Sequence, residues 1–177
     1  MYKYILFIFT ATLIIFTSYS QRPFEFGGEY IRVIGKGYNN AKAAARGESF
    51  NNKNSFSVGI IYHLPSKKAY STSSGFGIYA GYRYAFNNSA TGDSPFAGTR
   101  ILFSFENFDG KTRENSIMLT PMAELGYHFI FGKRIFAAPS AGVGYTFEFT
   151  HGYNSLDEDR GLRLIPSLST GYRFNIK

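Results

Sequence analysis

The residues of this chain that could do chemistry are three histidines and a scatter of carboxylates and arginines. Nucleophilic or general-base catalysis needs a nucleophile, a base and an orienting acid within hydrogen-bond reach. The richest local grouping surrounds His151, which is followed by Ser155, Asp157, Glu158 and Asp159. His63 and His128 stand far from it in sequence, in segments of different character. The run Leu156-Asp157-Glu158-Asp159-Arg160 offers carboxylates to Ca²⁺ or Mg²⁺, but it lacks the Asp-x-Asp-x-Asp-Gly spacing of a calcium loop and reads as a solvated loop. The chain has no Cys, so thiolate metal sites, disulfide staples and a cysteine-dependent lipid anchor are all excluded. Gly35-x-Gly37 is turn or strand glycine, not a phosphate-binding loop. No catalytic residue, metal or cofactor is expected.

A second set of charged residues has a regular setting. Arg83, Arg100, Arg163 and Arg173, and Glu106, Glu124 and Glu148, with Glu29 as a further candidate, each occur singly among Gly, Ser, Thr and a few apolar residues at every second position. The intervening positions are apolar or aromatic. From 117 to 131 the odd positions read Ile117, Leu119, Pro121, Ala123, Leu125, Tyr127, Phe129 and Phe131; from 135 to 149 they read Ile135, Ala137, Pro139, Ala141, Val143, Tyr145, Phe147 and Phe149. Leu162, Leu164, Pro166, Leu168, Thr170, Tyr172 and Phe174 face away from Arg163, Ile165, Ser167, Ser169, Gly171 and Arg173. The same alternation holds in 55–64, 75–86 and 96–107. It weakens in 24–35 and in the Ala-rich 41–50. Period two is the strand period, with one face apolar and the other polar.

The elements that must position these charges are therefore eight strands, near 24–35, 41–50, 55–64, 75–86, 96–107, 115–131, 134–150 and 161–176. Some are much longer than the five or six residues usual in a soluble sheet and are long enough to cross a membrane at a tilt. The composition agrees: of 177 residues, 19% are aromatic, with 14 Tyr, 19 Phe and no Trp, and 19 are Gly. Tyr82, Tyr84, Phe86, Tyr127, Phe129, Phe131, Tyr145, Phe147, Phe149, Tyr172 and Phe174 lie toward strand ends, as interfacial aromatic girdles require. In lipid every backbone group must be paired, so the sheet should close on itself. Turns are expected at 51–54, 87–95 and 132–133, the middle one longer than usual, with loops at 36–40, 65–74, 108–114 and 151–160 at the other end. This puts His63 and His151 near one end and His128 near the other, so the three histidines do not converge.

Export precedes the barrel. Lys3 gives a basic start, Ile5 to Thr17 is an apolar run shorter than the ~20 residues of a spanning helix, and Ser18 and Ser20 precede Gln21 as a signal peptidase site would. Residues 1–20 are expected to be a cleaved signal peptide and 21–177 an outer-membrane β-barrel domain. The formal net charge of +7 is spread along the chain, its only adjacent basic pairs being Lys67-Lys68 and Lys133-Arg134. Together with export this argues against nucleic acid as a partner.

Gly81-Tyr82-Arg83-Tyr84, Leu125-Gly126-Tyr127-His128-Phe129, Val143-Gly144-Tyr145 and Gly171-Tyr172-Arg173-Phe174 together resemble the small outer-membrane β-barrel family of OmpX- and OmpA-type barrels. The resemblance runs over the whole mature chain and rests on the repetition of these motifs. It implies an all-β fold, an eight-stranded antiparallel transmembrane β-barrel after a cleaved signal peptide, with both chain ends periplasmic. It also implies contact with outer-membrane lipids and insertion by the barrel assembly machinery, whose usual terminal Phe is replaced by Phe174-Asn175-Ile176-Lys177. Some small outer-membrane barrels are lipid-modifying hydrolases that pair His with Ser and an acid. The non-converging histidines argue against that activity here. An eight-stranded barrel is just wide enough for side chains to fill, so the lumen charges should pair into a plug. A structural or surface-interaction role is expected, with a narrow pore as the alternative. No external ligand is specified.

Overall fold

A computed structural model describes residues 23–36, 38–65, 72–87, 92–108, 116–150 and 160–174. The segment expected to be a signal peptide, Lys67-Lys68, His151 with the acidic residues that follow it, and residues 175–177 lie outside the described residues. The elements are β1 (Phe24–Gly35), β2 (Tyr38–Asn51), β3 (Asn54–Leu64), β4 (Thr72–Ala85), β5 (Ser94–Phe108), β6 (Ser116–Phe131), β7 (Ile135–Thr150) and β8 (Gly161–Phe174). Each strand pairs antiparallel with its sequence neighbours, and β1 pairs with β8, so the sheet is a closed barrel with no free edge. The strands run from 11 to 16 residues, at or beyond the 9–11 needed to cross hydrocarbon at a tilt of about 45°.

Alternation decides which side chain faces where. In β7, Val143, Tyr145, Phe147 and Phe149 are exposed on the outside while Thr146 and Glu148 are buried inside; in β8, Leu162, Leu164 and Leu168 face out while Arg163, Ile165 and Arg173 face in. The described barrel is thus inverted relative to a soluble one, apolar without and largely polar within. The expected strands are all present. β2 begins at Tyr38, earlier than the alternation suggested, because its outward face (Asn39, Ala41, Ala43, Ala45, Gly47, Ser49) carries no large apolar residue.

Three features adapt the ladder. Asn52, with φ of 55°, makes the tight β2–β3 turn, and Gly132 (φ 57°) and Lys133 (φ 69°) make the β6–β7 turn. Three strand prolines coincide with gaps in pairing: β6–β7 is interrupted around Pro121 and Pro139, and β1–β8 between Ile31–Ser167 and Ile34–Leu164, opposite Pro166. Proline has no N–H to give the ladder, so it breaks where proline stands. At the closing seam Gly27 pairs with Gly171. A Cβ on Gly27 would strike the carbonyl of Thr170, and one on Gly171 the carbonyl of Phe26. The inner wall closes there only because neither residue has a side chain.

The charged lumen as candidate functional site

All the charged residues expected in the lumen are inside it. Among the described residues the buried charges are six cations, Lys42, Arg46, Arg83, Arg100, Arg163 and Arg173, and six carboxylates, Glu25, Glu29, Glu48, Glu106, Glu124 and Glu148. The interior is formally balanced. A buried charge without a partner is very costly, and the barrel meets this requirement by joining charges from strands distant in sequence.

The middle of the network is built on Arg100 and Glu124. Arg100 Nη1 donates to Glu29 Oε1 at 2.6 Å and Nη2 to Glu124 Oε2 at 2.7 Å. Arg83 Nε donates to the other oxygen of Glu124 at 2.8 Å, and Ser140 Oγ adds a bond to Oε2 at 3.1 Å. Glu29 also accepts from the Tyr79 hydroxyl, and Glu48 joins the set through Arg46, Ser55 Oγ and, at 3.7 Å, Arg83. Aromatic faces cover the cations, Phe96 lying 4.3 Å from the Arg83 guanidinium carbon and Tyr79 4.9 Å from that of Arg100. Arginine is suited to this work, since its planar fork bonds two carboxylates at once while its face stacks on a ring.

Two smaller groups close the ends. Toward the end where β1 begins and β8 finishes, Arg173 bonds Glu25 at 2.6 Å, and His128 lies 3.1 Å from the same carboxylate. The residues just before β5 reach this end: Asp93 accepts the backbone N–H of Ile130 at 2.6 Å, and the Gly92 carbonyl lies 3.4 Å from His128 Nδ1. Toward the loop end, Glu106 accepts from Lys42 (2.9 Å), the Tyr38 hydroxyl (2.7 Å) and Ser104 (3.0 Å), with His63 at 3.4 Å. Ser116 bonds Glu148 at 2.7 Å, and Arg163 lies over the Tyr38 ring at 4.7 Å. His63 and His128 are thus at opposite ends of the lumen, each beside a different glutamate.

Between the central and loop-end groups lies an apolar cluster that includes Ile31, Val33, Ile61, Leu102, Met118, Met122 and Ile165. Along β5 it interposes Leu102 between Arg100 and Glu106, and along β2 it interposes Ala44 between Arg46 and Lys42. Along these two strands the cluster sets the central charged group apart from the loop-end one. The described residues hold no group of three His, Cys, Asp or Glu placed to bind a metal ion.

Sequence reasoning set Glu25 opposite Phe24 and Phe26 without counting it among the lumen charges, and did not reach Lys42, Arg46 or Glu48. Three of these belong to β2, whose outward residues are too small to show which face is which. The only available signal was the charged residues themselves, spaced two or four apart at 42, 46 and 48. On the outside, Tyr84, Phe86, Phe129, Phe131, Tyr172 and Phe174 stand at the terminal end and Tyr145, Phe147 and Phe149 at the loop end, all exposed. Tyr82 and Tyr127 are half-buried against neighbouring rings, Tyr82 on Phe56 and Tyr127 on Phe129.

Among solved structures, the N-terminal β-barrel domain of Pseudomonas aeruginosa OprF superposes with a TM-score of 0.60 at 12% identity, covering 87% of this chain and 98% of that one. Neisserial surface protein A superposes with a TM-score of 0.59 at 14% identity, covering 88% and 97%. The fold is that of the small outer-membrane β-barrels. No protein-family model and no curated protein matches the sequence. Agreement in fold at such low identity reflects how little an outer-membrane barrel asks of its sequence: alternation, strand length and turns, with many side chains able to satisfy each.

Proposed function

We propose that the chain is a non-enzymatic outer-membrane barrel with a structural or surface-interaction role, its lumen sealed by paired charges. Both chain ends face the periplasm and the longer loops face outward. The outer-membrane assembly machinery inserts it, and outer-membrane lipids surround it. The observation that carries this reading is the pairing of an apolar outer wall, edged by exposed Tyr and Phe, with a balanced, hydrogen-bonded interior crossed by an apolar cluster. A wall of that kind belongs in hydrocarbon. A lumen so filled supports a load-bearing or contact role more readily than transport.

The narrow-pore alternative has a specific consequence. Purified mature protein in planar bilayers should show no conductance above a protein-free control. Steady single-channel steps would replace the sealed-barrel reading with the pore.

A further inference from the structure

The outward face of the eight strands carries one charged side chain among the described residues, Arg32 on β1. Every other outward position is apolar, aromatic, small or neutral. Arg32 is exposed, and its Nε donates to Asn39 Oδ1 on β2 at 3.0 Å, so that among the described residues its terminal nitrogens are open to an anion. Exposed Lys36 follows in the β1–β2 hairpin. The cation therefore sits at the loop-end rim of the apolar wall, the level of lipid headgroups.

Directly across the strand pair from Arg32 is Ala41, the first of the outward residues Ala41, Ala43, Ala45 and Gly47. They form the floor of a trough. Its walls are the larger outward residues paired on either side: Tyr30 and Tyr62 flank Ala43, Ile60 faces Gly28 across Ala45, and at Gly47 the Phe24 ring lies over the strand, 3.0 Å from where a Cβ there would stand. The trough opens into a surface concavity of about 650 Å³ lined by Phe26, Ala45, Gly47, Val58, Ile60 and Ile78, among others. Adjacent strands lie about 4.8 Å apart, so the walls stand roughly 9.6 Å apart, backbone to backbone. That admits one hydrocarbon chain and excludes an α-helix, about 10–12 Å across with its side chains. From Ala41 to Ala45 the strand advances roughly 13 Å at about 3.3 Å per residue. At the usual barrel tilt of about 40° it descends roughly 10 Å into a hydrocarbon core about 30 Å thick.

We propose that this trough is a binding site for one phosphorylated membrane lipid, its phosphate on Arg32 and Lys36 and one acyl chain along β2. Cation, trough and concavity follow one another in the order that a lipid presents, headgroup first and acyl chain below it. The inference rests on the outer-membrane reading above, with the loop end in the outer leaflet.

Native mass spectrometry of the refolded mature protein, released from neutral detergent micelles doped with diphosphorylated lipid A, tests it. Folding is checked on each sample by heat-modifiable migration. Wild type should retain one lipid. Arg32→Gln should lower retention about fivefold, the worth of one cation near an anionic lipid surface, and Arg32→Lys should lower it less. Ala43→Phe, which fills the trough while leaving every charge in place, should lower retention by a similar factor. Lys133→Ala, at the other rim, should leave it unchanged, and millimolar inorganic phosphate should not compete. Folded wild type that retains no lipid, or equal retention by wild type, Arg32→Gln and Ala43→Phe, would overturn the site alone. A chain that never reaches the heat-modifiable form would overturn the outer-membrane reading and the site with it.

Discussion

At the scale of single residues, Arg100 carries the greatest share of the lumen. It is 1% exposed and bridges Glu29 on β1 to Glu124 on β6. Replacing it with Met removes the close ion-pair partner of Glu29, and breaking a buried pair from one side costs about 3–5 kcal/mol. Urea unfolding of Arg100→Met in micelles should show a loss of that size, whereas Arg134→Ala, at an exposed turn, should stay within about 0.5 kcal/mol of wild type. The double variant Arg100→Met with Glu29→Gln should recover a large part of the loss, because the stranded carboxylate is gone. Equal instability in the single and double variants would mean that the packing of Arg100 on Tyr79, and not its charge, is what matters. The charges on β4 to β8 were legible in sequence because each interrupts a strong apolar alternation. Lys42, Arg46 and Glu48 were not, since a face of alanines gives no contrast. The pairings themselves were beyond reach, because which arginine meets which glutamate across the lumen depends on the shear of the closed sheet.

At the scale of elements, strand existence and facing followed from period-two alternation, and the strand order needed only sequential pairing. The closing contact did not. Gly27 and Gly171 read as ordinary strand glycines until β1 and β8 are side by side, where a methyl on either would meet the opposite backbone. Gly171→Ala should therefore cut the folded fraction on refolding into micelles, read from the heat-modifiable band. Gly28→Ala should not, since a Cβ there would stand 4.0 Å from the Ala44 carbonyl. Matching yields would show that the seam can widen to take a side chain. The prolines teach the reverse lesson. Pro121, Pro139 and Pro166 would ordinarily argue against central strands, yet strands of up to 16 residues tolerate a local gap in one ladder because the flanking pairs hold the register.

At the scale of the whole molecule, the described interior sums to zero charge, so the net charge of +7 belongs to the loops, turns, rims and leading segment. Fold class was legible because an outer-membrane barrel is specified by a coarse repeated pattern, clear in six strands here and weak in β1 and β2. Role was not, because alternation, strand length and turns specify the barrel and leave role to single residues of its loops and outer wall. The central claim is a closed barrel with its apolar wall in the outer membrane. Cell fractionation with a heat-modifiability gel tests it most directly. Recovery in the outer-membrane fraction, with faster migration unboiled than boiled, is expected; recovery in the soluble periplasmic fraction, with no shift on boiling, would contradict a membrane-embedded barrel.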